Sequence, residues 1–469
     1  CGQVFFLQNL EALIYYCRKK KKKEFPMETP KNTAQYLSEA IVTEIVARLP
    51  LRSISRFKSV CRTWKSALES AYFRRLFVSL HQNTSSSWSL LAGTEEFISM
   101  HGCETWDLPK SIASYFRGIL TRKNLYHVAS SSGLILMESS DDATYVGNPV
   151  LQQWLRIPDP PHPTVTVVLG LVTSLDEDGV VLSFKVVKMA ALVPTRDKSS
   201  TCMFLWVYSS ETGIWTRKRL YCPICFTSFR NTISLNGTFY VSQTCLDGLA
   251  TQPGTLMAHD FYSESDLWRV IPFPDHNLNH NMNFKRALTK SRGYVMYIKT
   301  LAQEGDNLLK VWRLSNDSGD ECWKLLWEIR LPFDNIRNYA PMAMHPLEHN
   351  IVYLWSEENH YMISCNLQTQ NYKILRDDDH QDCLINKSRC DKYMDEALKS
   401  SSVQEYGVLV NLDQFVLPKW MKSLPRPPQV EMLDTASLIS YVSSLPKEHE
   451  DYEEEEEDVE EEWEEEWKE

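Results

Sequence analysis

The chain contains two regions that differ in the spacing of their apolar residues, and the spacing in the first region is helical. Between residues 37 and 77 apolar side chains recur every three or four positions, the spacing of one helix face. Ser38 is a suitable N-cap, and Pro50 ends the first helix because proline cannot occupy a helix interior. The pattern predicts three short helices, with apolar series at Ile41, Val42, Ile45, Val46 and Leu49, at Leu51, Ile54, Phe57 and Val60, and at Cys61, Trp64, Ala67, Leu68 and Ala71. So small a unit buries too little apolar surface to be stable alone, so it needs a partner or a neighbouring domain.

From Trp88 to about Trp420 the pattern changes to short apolar runs separated by turn residues, which is typical of β-strands. Part of this region repeats, because a small turn residue is followed each time by an apolar strand. Successive copies begin 46, 58, 56 and 57 positions apart. The copies begin at Gly133, Gly179, Gly237, Gly293 and Asn350.

The other part of the repeat is a polar turn followed by an aromatic residue and often by a proline, as in Trp154-Leu-Arg-Ile-Pro158. The pairs are Asn148 with Trp154, Ser209 with Trp215, Tyr262 with Trp268, Asp317 with Trp323, and Asn366 with Tyr372. Trp106-Asp-Leu-Pro109 fits as a further copy, and Tyr406 to Val410 is a candidate for closing a ring. Units of about 50 residues can form four-stranded blades whose edges are hidden by radial repetition. We therefore predict a propeller of six or seven blades, with the tryptophans packed between blades.

The helical segment resembles the F-box. The resemblance rests on the order Leu37, Ile41, Ile45, Leu49-Pro50, Ser53-Ile54, Phe57, Val60-Cys61-Arg-x-Trp64 and Phe73. The family usually has Leu-Pro where this chain has Leu37-Ser38. Serine can cap a helix in place of proline, so we expect weaker partner contact there. A small helical unit without a partner is the alternative interpretation of these residues.

The resemblance implies that this segment docks a Skp-type adaptor and, through it, the cullin and RING subunits of a ubiquitin ligase. The adaptor-binding residues that it implies are Leu37, Ser38, Ile41, Ile45, Leu49, Pro50, Ile54, Val60, Cys61 and Trp64. The strand-rich region resembles, more loosely, the F-box-associated, kelch-like region of plant F-box proteins. The predicted fold is therefore multidomain: a small all-α F-box of three helices, then an all-β propeller.

Composition sets the expected domain boundaries. We expect an extraneous or disordered segment over 1–32, the F-box over 33–80, a serine-rich linker over 81–89 and the propeller over 90–420. An irregular segment is expected over 421–447 and a disordered acidic tail over 448–469. The tail repels itself and has almost nothing to bury. Because the first methionine is Met27, we interpret residues 1–26 as upstream sequence or a gene-model extension.

The formal net charge of −11 is unevenly distributed along the chain. Residues 448–469 hold sixteen Asp and Glu against Lys468, whereas residues 1–26 are basic, so the remainder is near neutrality. Net charge thus gives the folded part no preference for nucleic acid or membrane. Twelve scattered cysteines favour a reducing compartment, and the lysine run at 19–23 would serve as a nuclear signal if it is translated. We expect the nucleus, the cytoplasm or both.

Motifs for catalysis and metal binding are present only as weak matches. His345-Pro-Leu-Glu-His349 has the letters of a zinc-peptidase motif, but Pro346 argues against the helix that this motif needs. Cys222-Pro-Ile-Cys225 lacks a second pair, so buried thiols are the expected interpretation. His276 with His280, and the run from Asp377 to His380, are predicted to be loop. We therefore predict no catalytic residues, no metal and no cofactor.

The predicted function is that of a non-catalytic substrate-recognition subunit of an SCF-type ubiquitin ligase. Its F-box would hold the adaptor and its propeller would hold an unidentified target protein. Two alternatives stay open: a non-degradative scaffold that binds a basic partner through the propeller and the acidic tail, and a propeller enzyme that the F-box tethers. The target is expected to bind one or more of five long loops, at 158–166, 195–201, 246–255, 275–284 and 376–391.

Overall fold

The N-terminal part of the structure is helical. The structure is a computed structural model that describes residues 39–58, 60–81, 88–92, 95–100, 125–139, 142–161, 167–194, 200–224, 230–243, 255–274, 284–303, 306–315, 322–332, 339–375, 383–385, 392, 409–410, 412–418, 420 and 422–444. Within these residues, the helices before the first strand are α1 (Glu39–Ala47), α2 (Leu51–Lys58), α3 (Arg62–Leu68) and α4 (Ala71–Leu80). The three predicted helices correspond to α1, α2 and α3, and α4 follows them. Ser70 divides the third apolar series, because its side chain accepts a hydrogen bond from the N–H of Phe73 and caps a separate helix.

The described strands form six sheets, which are the blades of the predicted propeller. Each blade is antiparallel between consecutive strands, with the first strand nearest the central axis in blades 2 to 6. The strands of the first three blades are β1 (Trp88–Ala92) and β2 (Glu95–Met100) of blade 1; β3 (Leu125–Ser131), β4 (Leu134–Ser139), β5 (Thr144–Asn148) and β6 (Gln153–Ile157) of blade 2; and β7 (Val167–Leu175), β8 (Val181–Pro194), β9 (Thr201–Ser209) and β10 (Trp215–Cys222) of blade 3.

The other three blades continue the same order. Their strands are β11 (Arg230–Leu235), β12 (Thr238–Gln243), β13 (Thr255–Asp260) and β14 (Arg269–Pro272) of blade 4; β15 (Phe284–Ser291), β16 (Tyr294–Gln303), β17 (Asp306–Ser315) and β18 (Cys322–Arg330) of blade 5; and β19 (Tyr339–Met344), β20 (Ile351–Ser356), β21 (Tyr361–Asn366) and β22 (Asn371–Leu375) of blade 6. The prediction of a propeller after the helical module is thus confirmed.

Both ends of the strand region build blade 1, and this closes the ring. β1 and β2 lie between two strands from much later in the chain, β25 (Asp413–Val416) on the inner side and β23 (Cys383–Ile385) on the outer side. Of the segment predicted to close the ring, 406–410, the structure describes only the last two residues, and these have a different place. Leu409–Val410 (β24) pairs in parallel with the inner strand of blade 5, so that prediction was wrong by a few residues. A two-residue strand carries no period by which sequence could assign it.

Buried hydroxyl and amide groups connect the inner strands across the axis. Ser131 of β3 lies 2.8 Å from the Thr173 hydroxyl of β7 and 3.4 Å from the Ser234 hydroxyl of β11. Gln414 of β25 donates to the Thr289 hydroxyl of β15 at 2.8 Å and to the Met344 carbonyl of β19 at 3.0 Å. The closing strand is therefore held by the inner strands of two other blades.

The glycines of the repeat are explained by the first turn of each blade. Gly133, Gly237 and Gly293 have φ of 79°, 82° and 79°, and the residues before them also have positive φ. Two successive residues with positive φ form the tight hairpin turn that matches the twist of the strands, and glycine enters that region without strain.

The repeated aromatic residues pack between blades, as predicted for the tryptophans. Trp268 lies among apolar side chains of blades 3 and 4 and is buried. Trp215 donates its indole N–H to the Pro158 carbonyl of the preceding blade at 2.6 Å, and Trp323 does the same to Pro272 at 2.9 Å. Both acceptors are the prolines that close the preceding repeat. Tyr372 of blade 6 is half exposed, while the copy at 106–109 and Asp317 lie outside the described residues.

The segment after the propeller, predicted to be irregular, contains a strand and a helix. β26 (Met432–Asp434) pairs with the outer strand of blade 2, and α5 (Thr435–Ser444) follows it. The indole N–H of Trp154 donates to the Thr435 hydroxyl at 3.0 Å. The prediction failed because three residues are too few to show a strand period. Among the described residues, no helix is long and apolar enough to cross a membrane.

Candidate functional site

The helical module is built around the Leu49-Pro50 step. α1 ends at Ala47, and Leu49 donates its N–H to Val46 at 3.0 Å, so the chain turns before the proline. The Pro50 carbonyl then accepts from Ser53 at 2.9 Å and from Ile54 at 3.1 Å, which begins α2. The prediction that Pro50 separates two helices is confirmed.

The ten predicted adaptor-binding residues have three kinds of surroundings. Leu49 and Ile54 are buried in the module, so they shape the surface from below. Ile45, Pro50, Val60, Cys61 and Trp64 are partly exposed. Ile41 is 48% exposed, although it is a large apolar side chain on α1. Leu37 and Ser38 lie outside the described residues.

Ile41 and Ile45 are four residues apart on α1, so they share one helix face. The Trp64 ring lies 6.0 Å from that of Phe57, which anchors it against the buried core of α2. An exposed isoleucine beside partly exposed apolar and aromatic side chains is the usual composition of a protein-binding patch. Which of these residues touch an adaptor stays a prediction.

The module is attached to the propeller through α4, and the ion pairs of this attachment lie at one turn. Arg74 lies 2.9 Å from the Asp176 carboxylate and 2.5 Å from that of Asp178, both in the β7–β8 turn. Burial alone would raise the pKa of Asp176, but N–H groups of Val180 and Asp178 and the charge of Arg74 outweigh it and hold the pKa below its usual value.

Aromatic packing covers the rest of this attachment. The Trp420 ring lies 6.0 Å from Phe73 and 5.2 Å from Phe77, both in edge-on geometry. The Lys58 ammonium lies 5.4 Å from the same ring, and burial lowers the pKa of Lys58. Module and propeller share a single buried apolar cluster here, so the helices are fixed on the disc.

Sequence reasoning did not find this attachment. Arg74 and Asp178 are 104 positions apart, and nothing in either local pattern marks them as partners. Trp420 was noted only as the limit of the strand region. The sequence did indicate that the helical module buries too little apolar surface to be stable alone. This required a neighbouring domain but did not show which residues contact it.

The central axis contains a histidine, a serine and an aspartate, but not in a catalytic arrangement. The same nitrogen of His127, Nε2, lies 2.8 Å from the Ser130 hydroxyl and 3.0 Å from the Asp413 carboxylate. A catalytic relay needs the serine and the aspartate on different ring nitrogens. Burial favours a raised pKa for Asp413, but the hydrogen bond from His127 and the charge of Lys290 lower it. These groups form a buried structural network.

The weak metal motifs are accounted for where the structure describes them. His345 lies in a turn, and its Nδ1 accepts the N–H groups of Leu347 at 3.1 Å and Glu348 at 3.0 Å. The Cys222 thiol faces the sulfur of Met257. Cys225, His276, His280 and 377–380 lie outside the described residues. Within the described part of the chain, no three His, Cys, Asp or Glu side chains are placed to share a metal ion.

Comparison with known proteins agrees with this architecture. The model of the F-box domain matches residues 35–76, and the model of the "F-box protein At3g26010-like, beta-propeller" matches residues 86–426. The chain is therefore an F-box protein, a class whose F-box generally binds Skp1-type adaptors in SCF complexes.

Within that class, the chain belongs to the At3g26010-like family of F-box β-propeller proteins. It is 50% identical to the F-box protein At3g26010 of Arabidopsis thaliana, over 89% of this chain and 97% of that protein. It is also 55% identical to the Arabidopsis protein At4g22430, whose name describes it as F-box/kelch-repeat, over 89% of this chain and 99% of that protein. The F-box protein At1g49990 of the same plant is 40% identical over 82% of this chain and 97% of that protein.

Proposed function

We propose that the protein is the substrate-recognition subunit of an SCF-type cullin–RING ubiquitin ligase. Its F-box binds a Skp-type adaptor and so joins the cullin and RING subunits, and its propeller binds the protein to be ubiquitinated. We propose that the protein is located in the nucleus, the cytoplasm or both.

One observation carries the proposal: the helix that attaches the F-box to the propeller carries none of the predicted adaptor-binding residues. α4 attaches the module to the propeller through Arg74, Phe73 and Phe77. The predicted adaptor residues are on or next to α1, α2 and α3 instead, and they include the exposed Ile41. Ile41 is exposed and Ile45, on the same helix face, is only partly covered, so α1 presents apolar surface that a partner protein could bury.

The proposed role involves no bond chemistry by this chain. A receptor fixed to both the ligase and the target raises the local concentration of the target's lysines near the charged conjugating enzyme, which is a proximity effect. The fixed attachment at Trp420 favours this role, because a rigid connection keeps that distance short and constant.

The first prediction tests adaptor docking with Ile41→Glu. Because Ile41 is largely exposed, a charge there leaves the module folded but opposes an apolar interface. We expect adaptor binding to weaken at least tenfold, or about 1.4 kcal/mol. The measurement is titration of purified adaptor onto the full chain by calorimetry. Leu49→Arg with Pro50→Ala should weaken it further, although Leu49 also supports the core.

The matched control is Leu80→Glu, an exposed apolar residue of the same module that lies outside the predicted site. It should bind the adaptor like the wild type. Equal binding by wild type and Ile41→Glu, with unchanged circular dichroism, would remove this surface from the proposal.

The sixteen acidic residues of 448–469 favour a second candidate, a scaffold that binds a basic partner without degradation. Capture of the chain from plant cells separates the two. Cullin co-purifying with wild type but not with Ile41→Glu supports the receptor, whereas a basic partner lost on deletion of 448–469, without cullin, supports the scaffold.

A further inference from the structure

One face of blade 3 is only partly covered by its neighbour. Cross-strand pairing brings Val193, Phe204, Trp206, Arg217, Arg219 and Tyr221 to the same face of β8, β9 and β10. We call these six residues the arginine face. Near the start of β10, Trp215 packs on blade 2 through the Pro158 carbonyl. Toward the end of β10, blade 2 no longer covers this face, since Val193 is 47% exposed and Tyr221 is 40% exposed.

The two guanidinium groups lie over aromatic rings. The guanidinium carbons of Arg217 and Arg219 are 5.1 and 5.6 Å from the Phe204 ring, and that of Arg219 is 4.7 Å from the Tyr221 ring. The Arg219 Nε also donates to the Cys202 sulfur at 2.9 Å, which fixes its position. A stacked guanidinium keeps most of its N–H groups at its edge, where they can bind carboxylates.

No carboxylate in the described part of the chain forms an ion pair with Arg217 or Arg219. The adjacent Lys188 differs, because its ammonium is buried and lies 3.2 Å from Glu138. Asp266 comes near the rim, where its main-chain carbonyl accepts from the Tyr221 N–H at 2.8 Å. Among the described residues, the two positive charges of the arginine face therefore have no carboxylate partner, and they lie over an apolar floor.

The position of this face suits a target. The F-box binds the β7–β8 turn through Asp176 and Asp178, and β8 runs from that turn to Pro194. Val193 is near the other end of this strand, at roughly 3.3 Å of rise per residue about 40 Å from Val181. The arginine face thus extends toward the side of the propeller opposite the F-box.

We propose that the arginine face binds an acidic segment of the target protein that carries an aromatic or aliphatic side chain. Carboxylates of that segment pair with Arg217 and Arg219, and its apolar side chain rests on Val193 and Phe204. Charge complementarity argues for this occupant, since the combination of clustered arginines and apolar contacts selects acidic motifs. The inference rests on the proposed receptor function for its biological meaning.

The experiment is direct peptide binding, followed by fluorescence anisotropy on the full chain. The probe is a labelled peptide of about twelve residues, rich in Glu with one central Trp. One reference peptide replaces Trp by Ser, and another replaces every Glu by Lys. We expect the probe to bind, binding to weaken as salt rises from about 50 to about 300 mM, and both reference peptides to bind at least tenfold less tightly.

The variant is Arg217→Glu with Arg219→Glu, which should weaken the probe at least tenfold. Arg330→Glu, an exposed arginine on the outer strand of blade 5, is the matched control and should bind like the wild type. Arg219→Lys retains the charge but not the planar stacking, so it should bind with intermediate affinity. Equal binding by wild type and the double variant would overturn the proposal.

A further arm concerns the chain's own acidic tail, which has similar chemistry. If truncation after Ser444 strengthens probe binding tenfold or more, the tail occupies the face and the target assignment is wrong. Adaptor titration on the double variant separates this proposal from the receptor function. Loss of probe with full adaptor binding supports the arginine face as a distinct site. Loss of both would show general unfolding and overturn the assignment of the effect to this face.

Discussion

At the scale of single residues, some of the repeat tryptophans connect a blade to the one before it. The sequence showed the aromatic and the following proline as one motif, but not that they belong to different contacts. Trp215 and Trp323 reach back to Pro158 and Pro272 of the preceding repeats. A contact between repeats cannot be derived from the pattern within one repeat.

Trp268 provides the clearest stability test, because it is buried between blades 3 and 4. Trp268→Ala should lower the free energy of unfolding by about 3–5 kcal/mol, through lost contacts and a residual cavity. Trp323→Phe is the comparison, since this partly exposed residue keeps an aromatic ring and loses the indole hydrogen bond with part of its contact area. It should cost less than Trp268→Ala, about 0.5–1.5 kcal/mol. Urea unfolding of both variants is the measurement. A Trp268→Ala protein as stable as the wild type would exclude the packing role.

Two buried histidines predict how stability depends on pH. Burial lowers the pKa of His345 and of His259 to about 4. An unfolded histidine titrates near 6.5, so between about pH 6.5 and 4 the unfolded state binds more protons than the folded state. Stability is therefore complete above about pH 6.5 and falls as the pH drops toward 4.

The size of this effect is limited to roughly 3 kcal/mol for each histidine. For His345 the structural reason is visible, because its unprotonated Nδ1 accepts two backbone N–H groups. Thermal melts at pH 7 and pH 5 should show a smaller decrease for His345→Asn than for the wild type. An identical decrease in both proteins would assign the acid sensitivity to other groups.

At the scale of elements, prediction succeeded where a period was long enough. The Leu49-Pro50 step determined the end of α1, and the turn glycines marked the first hairpin of most blades. It failed for β24 and β26, which contain two and three residues. It also failed for the F-box attachment, since a contact such as that of Arg74 with Asp178 depends on tertiary structure alone.

The attachment leads to a prediction with an adjacent control. Arg74→Ala should remove the ion pair of Asp176 and leave Asp178 with the more exposed Arg75, 3.4 Å away. It should destabilise the F-box by about 3 kcal/mol, because the Arg74 side chain is only 11% exposed. Arg75→Ala should cost less than about 1 kcal/mol, since that side chain is 62% exposed. Hydrogen exchange of α1–α4 measures both. Equal protection in the two variants would show that the ion pairs do not hold the module.

At the scale of the whole molecule, closure depends on the late strand β25. Asp413–Val416 supplies the inner strand of blade 1, and Gln414 binds two other inner strands. A ring with one inner strand missing exposes the strand edges that closure conceals.

Two truncations should therefore differ sharply. Ending the chain at Ser444 removes the acidic residues 448–469, which have little to bury, and should change Tm by less than about 2 °C. Ending it at residue 411 removes β25 and should abolish cooperative unfolding and cause aggregation. Differential scanning calorimetry and size-exclusion chromatography distinguish these results. A fall of many degrees for the first truncation would mean that the tail packs on the folded body.

The late position of Trp420 in the chain matters during synthesis. The ribosome makes α4 early, but the ring on which Phe73 and Phe77 pack is made after nearly the whole propeller. An incomplete nascent chain, or one that ends before residue 420, lacks the tryptophan ring on which the F-box packs. Support of the N-terminal F-box therefore depends on synthesis of the C-terminal strands. A chain whose propeller is too incomplete to bind a target also has a poorly supported F-box.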